Sequence, residues 1–274
     1  MDRGFEETDA PEERRRRVVS KEEEDLNVEE VLLTALDPLI EDHLLLETIR
    51  PIKSGKEAVV YLCRAHPSLD QDLVAAKIYR PPERRSFKRD GVYQQGRARA
   101  SRPDAREIRA HTRKTAGGRL RKFNAWIAHE MKTLEILHEA GADVPEPFVQ
   151  QGPVILMEYI GDAEHPAPVL VNLPIEEEDA KRLYAEILRN VELFLEHRRV
   201  HADLSAYNVL LWEDRATIID FPQSVDPRYN DDAFDLLLRD LENTNAFFAE
   251  RGAEVVDPIA HGLSLWRKHI DPNR

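Results

Sequence analysis

The stretch from His201 to Asp220 constrains this chain more than any other. It reads His201-Ala-Asp203-Leu-Ser-Ala-Tyr-Asn208, then the apolar run Val209-Leu-Leu-Trp, a polar turn at Glu213-Asp214, a second apolar run at Thr217-Ile-Ile and finally Asp220. Two short apolar runs around a polar turn predict a hairpin. A hairpin returns the chain, so Asp220 lands beside the loop that carries Asp203 and Asn208. Two carboxylates and an amide carbonyl then meet at one end of a two-stranded ribbon. Phosphoryl transfer needs that set: a carboxylate to orient an attacking hydroxyl and accept its proton, and oxygen ligands for a hard divalent cation. His201 is read as holding backbone there, not as a general base.

Composition removes several other classes. Hydrophobic residues make up 42% of the 274 and charged residues 33%, which suits a globular protein of one large domain or two lobes. No apolar stretch approaches the ~20 residues that span a bilayer, and the opening Met1 to Arg17 lacks the apolar core of a signal peptide. No membrane association is expected, and a cytoplasmic setting is. Cys63 is the only cysteine, which excludes intramolecular disulfides and cysteine-cluster metal sites; within Val-Val-Tyr-Leu-Cys it reads as a buried, unreactive thiol.

Charge is unevenly spread. Lys and Arg total 39 against 52 Asp and Glu, a formal net charge of −13. Residues 1–25 hold ten acids and six bases with almost nothing apolar, and read as a disordered charged tail. Residues 80–122 hold fifteen Lys and Arg and four acids, a net +11, so the rest of the chain sums to −24. A dense cationic segment on an acidic body suits RNA or another polyanion, because neutralising phosphates releases counterions. A flexible basic loop that merely offsets the acidic body is the plainer alternative.

The coarse pattern is a β-rich first half and a helical second half, hence α+β. From Val28 to Leu46 apolar residues recur at helical spacing, with Pro38 as a break, giving a helical extension over 26–48. Ile49 to Cys63 predicts strand, tight turn at Ser54-Gly55-Lys56, and strand. Leu73 to Tyr79 is a further strand stopped by Pro81-Pro82, and the basic loop occupies 81–122. Phe123 to Ala140 predicts a helix closed by Gly141, with Phe123, Ile127, Met131, Leu134 and Leu137 on one face. Val154 to Ile160 is a buried strand, and Gly161 to Pro168 has linker character. Glu176 to Glu196 predicts an amphipathic helix, and the chain from Asp231 on is again helical.

Lys77 adds chemistry to the first half. Ala75-Ala-Lys77-Ile matches the V-A-I-K strand pattern, whose lysine pairs nucleotide phosphates and a helix glutamate. Glu130 is the expected partner and Glu135 the fallback, because helical phase is the uncertain quantity. Met157-Glu158-Tyr159-Ile160 would then connect two lobes, with backbone groups reading adenine and Met157 lining the pocket. One metal motif fails: His129-Glu130 starts like H-E-x-x-H, but the next histidine is His138, nine positions on instead of four.

Together these residues resemble the RIO family of atypical serine/threonine kinases, from about Ile49 to Phe248. The likeness rests on Ser54-Gly-Lys-Glu-Ala-Val-Val-Tyr, Ala75-Ala-Lys-Ile-Tyr, Trp126 with Glu130-Met-Lys-Thr-Leu, Ala140-Gly-Ala-Asp-Val-Pro-Glu-Pro and Ile155-Leu-Met-Glu-Tyr-Ile-Gly. His201-Ala-Asp-Leu-Ser-Ala-Tyr-Asn and Ile218-Ile-Asp-Phe-Pro-Gln-Ser-Val are its most specific strings. It implies a two-lobed protein-kinase-like fold, with the N-lobe over 49–157 and a reduced helical C-lobe over 158–274. It implies that Lys77 binds ATP phosphates, Asp203 is the catalytic base, and Asn208 and Asp220 hold Mg²⁺ or Mn²⁺. It also implies that Asp220 can become an aspartyl-phosphate, which makes ATP hydrolysis a main reaction.

The chain departs from ordinary kinases in the same places. Gly55 stands alone where G-x-G-x-x-G is usual, so Ser54, Lys56 and backbone N–H groups around Gly55 are expected to cover the phosphates. Phe221-Pro222 replaces Phe-Gly, and no A-P-E follows. The 54 residues after Asp220 lead us to expect no peptide-docking subdomain, leaving the protein substrate unnamed. Ser86, Ser101, Thr112 and Thr115 in the basic loop are candidate autophosphorylation acceptors. Alongside a serine/threonine kinase stand an ATP-operated switch docking on RNA or a ribosomal particle, and a small-molecule phosphotransferase of the aminoglycoside or choline kinase type.

Overall fold

The computed structural model describes residues 30, 32–81 and 116–273. The charged residues 1–25 and the four candidate phosphoacceptors lie outside the described residues.

Five strands form one antiparallel sheet in the order β1-β2-β3-β5-β4: β1 (Leu45–Ser54), β2 (Ala58–Ala65), β3 (Leu73–Tyr79), β4 (Pro147–Gln151) and β5 (Val154–Glu158). Central β3 has a period of two that assigns its side chains to opposite faces of the sheet. Val74, Ala76 and Ile78 join an outer core with Leu32, Leu36 and Leu39 from the N-terminal helical segment, which ends in the short α1 (Asp37–Glu41). Ala75, Lys77 and Tyr79 therefore face the other way. On that side α2 (Ala116–Glu139) lays Phe123, Ile127 and Met131 against Tyr79 and Ile155. Gly141 closes α2 at φ +78°, with Gly141 N–H donating to His138 O and Ala142 N–H to Leu137 O. Cys63 is buried in the outer core, and burial pushes its thiol up to about 12.

The second half is helical around a small ribbon. The ribbon is β6 (Val209–Trp212) paired antiparallel with β7 (Arg215–Ile218). Helices α3 (Glu177–Glu196), α4 (Ala233–Ala249) and α5 (Pro258–His269) enclose it. Leu183, Ile187, Val191 and Phe194 of α3 pack with Leu237, Leu241 and Phe248 of α4 in a single core. Helix α5 starts at an Asp257 cap that accepts from Ala260 N–H at 2.7 Å, with Pro258 at its first position.

Four expectations need correction. The helix predicted to Leu46 stops at Glu41: His43 takes φ +56°, and Leu45 already pairs with Ala65 in the sheet. Sheet pairing and burial of Leu45 outweigh the helical spacing. The basic loop predicted over 81–122 ends by Ala116, where α2 begins. Strand β4 is absent from the sequence reading, because a half-buried edge strand of five residues has no alternation to read. Gly161 to Pro168 is a closed turn, not an open linker: Gly161 bridges Pro166, and Ala167 N–H donates to Ile160 O at 2.9 Å. A Cβ at Gly161 would lie 2.5 Å from His165 O, so glycine is required.

Candidate active site

Strand β3 aims Lys77 under the sheet, and α2 aims Glu130 at it. Lys77 Nζ donates to Glu130 Oε1 at 2.7 Å and to Asp220 Oδ1 at 2.8 Å. Burial works against the ammonium, but the two carboxylates outweigh it and hold Lys77 above its ordinary value. For Glu130 burial wins, with Asp220 adding repulsion, so its carboxyl is raised despite Lys77. Its Oε2 is buried and has no hydrogen-bond partner among the described residues. Burial pushes Asp220 up too, but Lys77 overcomes it and keeps this carboxyl low. Asp220 stays 43% exposed, opening onto a cavity.

Backbone geometry fixes Asp220. It adopts φ +75°, sparsely populated for a residue with a side chain but tolerated by aspartate. Phe221 beyond it is fully buried, stacked edge-on against Phe194 and close to the His201 ring. Phe221 N–H donates to Glu130 Oε1 at 3.3 Å, tying α2 to the segment after the ribbon. His129 strengthens that tie, its Nε2 lying 2.8 Å from Ser224 O. This explains the residue that began the failed zinc motif.

A second set of contacts holds the loop of Asp203. Asp240 on α4 is buried and accepts from Ala202 N–H at 2.7 Å and Leu204 N–H at 2.9 Å. Arg239 donates to Ala202 O from the same helix. His201 Nε2 donates to Ile219 O at 3.1 Å, and its Nδ1 accepts from Asp203 N–H at 3.3 Å. That pattern requires the neutral ring, and burial pushes its pKa down to about 4. His201 therefore holds backbone, as its place in the loop suggested. Asn208 Nδ2 donates to Asp203 O at 2.9 Å, and Ile219 N–H to Asn208 O at 2.9 Å, so ribbon and loop are stitched together.

Comparison with known proteins agrees with this frame. A family model described as the RIO domain matches residues 59–260. The chain belongs to the RIO family. It is 32% identical over 269 residues to the serine/threonine-protein kinase RIO1 of Caenorhabditis elegans, an alignment covering 96% of this chain and 49% of that one. It is 31% identical over 221 residues to the RIO-type serine/threonine-protein kinase Rio1 of Methanocaldococcus jannaschii, covering 80% of this chain and 69% of that one. The chain thus spans about half the length of the worm relative and 34% of its human counterpart. Among solved structures it resembles the Rio2 kinase–ADP/Mg²⁺–phosphoaspartate complex from Chaetomium thermophilum, with TM-score 0.62, 20% identity, and coverage of 84% of this chain and 65% of that one. The fold is α+β and kinase-like, an N-terminal antiparallel sheet followed by helices. No helix among the described residues is long and apolar enough to cross a membrane.

In this RIO domain a cavity of about 630 Å³ lies between sheet and ribbon. Gly55, Lys56, Lys77, Glu130, Met157, Glu158, Ile160, Asp203 and Asp220 line it, as do apolar Val60, Ala75, Leu210 and Ile219. Ser54 and Asn208 are not among the lining residues. The Ser54 hydroxyl instead accepts from Arg80 Nη2 at 3.1 Å, and Arg80 Nε donates to Gly55 O at 3.0 Å. Gly55 N–H is engaged as well, donating to Ala58 O at 2.9 Å, so of the backbone N–H groups expected around the phosphates this one is already paired. Glu135, the fallback partner, pairs with Lys132 on the helix surface.

Sequence reasoning missed Arg80 and Asp240. Asp240 did leave a signal: an acid between Leu237 and Leu241 on an apolar stripe is buried, and a buried acid needs donors. Arg80 left none.

Proposed function

We propose that this RIO domain is an ATP- and Mg²⁺-dependent serine/threonine kinase and ATPase, with a β-rich N-lobe and a helical C-lobe. The carrying observation is the Lys77–Glu130–Asp220 junction at the back of an apolar-walled cavity that Asp203 also lines. Adenine would sit between Ala75, Val60 and Leu210, beside Met157. Glu158 N–H is engaged with Glu146 O and Ile160 C=O with Ala167 N–H. The Glu158 carbonyl and the Ile160 N–H are the connector groups that would read the base.

The donor set fits a hard cation. Among the described residues no group of three His, Cys, Asp or Glu is assembled to hold a metal. An ion bound by Asp220 and the Asn208 carbonyl together with substrate phosphates is the arrangement Mg²⁺ or Mn²⁺ favours. When bound, it would neutralise charge developing on the transferred group. Lys77 would move its hydrogen bonds from the carboxylates toward phosphate oxygens, with Glu130 retaining it. Asp203 would orient a serine or threonine hydroxyl and accept its proton.

The ATPase branch uses Asp220 itself. Its carboxylate oxygen attacks the γ-phosphorus, the bond to the ADP oxygen breaks, and an acyl phosphate forms. Water then hydrolyses that phosphate, releasing inorganic phosphate and restoring the carboxylate. The low Asp220 pKa and its exposure to the cavity favour this branch. A switch docking on RNA or a ribosomal particle through the basic residues 81–122 would use the same hydrolysis; the +11 charge of 80–122 favours it. Incubation with γ-labelled ATP and Mg²⁺ tests these readings, following free phosphate and protein-bound label together. Acid-stable label on Ser or Thr is expected of the kinase. Hydroxylamine-labile label with abundant free phosphate is expected of the Asp220 route. Neither signal would overturn both.

A further inference from the structure

The mouth of the cavity holds a cation that the phosphate-loop reading did not use. Lys53 precedes the Ser54-Gly55-Lys56 turn, is exposed and lines the cavity. Sheet register fixes its direction: Lys53 pairs with Val60, and Val60 pairs with Lys77 on the next strand. Residues directly opposite across antiparallel strands share a face. Lys53, Val60 and Lys77 thus form one row across β1, β2 and β3, all lining the same cavity. Two strand spacings separate the two lysines, about 10 Å.

Among the described residues the groups beside Lys53 are occupied, and Lys53 is not. Gly55 N–H bonds Ala58 O, and Arg80 holds both the Ser54 hydroxyl and the Gly55 carbonyl. No hydrogen bond or ion pair engages Lys53 with another described residue. An unpaired ammonium at the rim of an apolar-walled cleft attracts and orients an anion.

We propose that Lys53 is a binding residue for the terminal phosphate of a nucleoside triphosphate, standing in for the Gly55 N–H that this one-glycine turn has engaged elsewhere. The proposal rests on the nucleotide reading of the cavity. Lys77 would take the inner phosphates at the back, and Lys53 the outermost one near Asp220. The site would thereby distinguish triphosphate from diphosphate, releasing the nucleotide more readily once the γ-phosphoryl group has left.

The test is titration of the full chain with a non-hydrolysable imido analogue of ATP, with ADP and with adenosine, each with Mg²⁺, for wild type, Lys53→Gln and Lys53→Arg. Expected for Lys53→Gln is about a tenfold loss of triphosphate affinity, with ADP within about twofold and adenosine unchanged, and recovery in Lys53→Arg. Added salt should weaken triphosphate binding less in Lys53→Gln than in wild type. Triphosphate affinity within about twofold of wild type would overturn the proposal, as would equal losses for triphosphate and diphosphate. If wild type binds adenosine and ADP but Lys53→Gln changes nothing, only Lys53 loses its role. If wild type binds none of the three, the nucleotide reading falls and takes this proposal with it.

Discussion

Glu130 and Asp240 are both acids buried to about 1% exposure, and burial raises the pKa of each, yet they serve opposite ends of the site differently. Glu130 faces a side-chain cation, Lys77, which also reaches Asp220 and, on the proposed nucleotide reading, would exchange partners when an anion enters. Asp240 faces two peptide N–H groups that have nowhere else to go. A carboxylate paired with a mobile ammonium is working charge, whereas one paired with backbone is scaffold. The same residue chemistry thus gives a responsive element under the sheet and a fixed one under the loop of Asp203.

The sharpest cut separates chemistry from both. Asp203→Asn removes the proposed base and leaves the hydrogen bonds of both acids in place, and should lower phosphoryl transfer by about 10²–10⁴-fold. Nucleotide affinity should stay within about twofold in a parallel titration; unchanged turnover would remove Asp203 from the mechanism. Next comes the scaffold. Asp240→Ala leaves two buried N–H groups unsatisfied, at about 1–3 kcal/mol each, so the urea midpoint should drop by an amount worth several kcal/mol. An unaltered midpoint would contradict the division into scaffold and working charge.

Glu130→Gln should do the reverse. Lys77 keeps Asp220 as a partner, so stability should fall by only about 1–2 kcal/mol, while kcat/KM falls about 10–100-fold because the ammonium is no longer anchored. A larger loss of stability than of activity would make Glu130 scaffold as well.

The smallest net effect is the pH dependence of wild type, where two larger ones oppose each other. Neutral His201, pushed down to about 4, contributes stability that is complete above 6.5 and is lost as pH falls toward 4, about 3 kcal/mol in all. Asp240, pushed up to about 7, runs the other way: its contribution is complete below 3.8 and is lost as pH rises toward 7. The two nearly cancel between pH 4 and 6.5, and wild type should show a shallow melting profile there. Asp240→Asn should uncover the His201 arm, with Tm falling as pH drops from 6.5 to 4. A variant profile as flat as that of wild type would break the pairing of these two groups.

The parts legible in the sequence were local. The hairpin after Asp203 could be read because its two apolar runs and polar turn are adjacent in the chain; it ties Asn208 to Asp203 and to Ile219, next to Asp220. Lys77 and Glu130 could be matched because strand and helix periods assign each a face: Ile127 and Leu134 leave Glu130 on the flank that meets the sheet. Leu45 could not, since an apolar residue at helical spacing also suits a strand, and only pairing with Ala65 chose between them. Nor could the fate of Ser54, whose hydroxyl looked free until Arg80 crossed from the end of β3 to hold it.

The α+β order of elements, the loop of Asp203 with its ribbon and the choice of charged residues are all written in the chain itself, because period and spacing are properties of neighbouring positions. Which partner each polar group finds is settled only on folding: Asp240 with Ala202 and Leu204, Arg80 with the turn, Lys53 in one row with Lys77. Hydrogen bonds and charges act through space over a few ångströms, and the residues that supply them lie tens of positions apart along the chain.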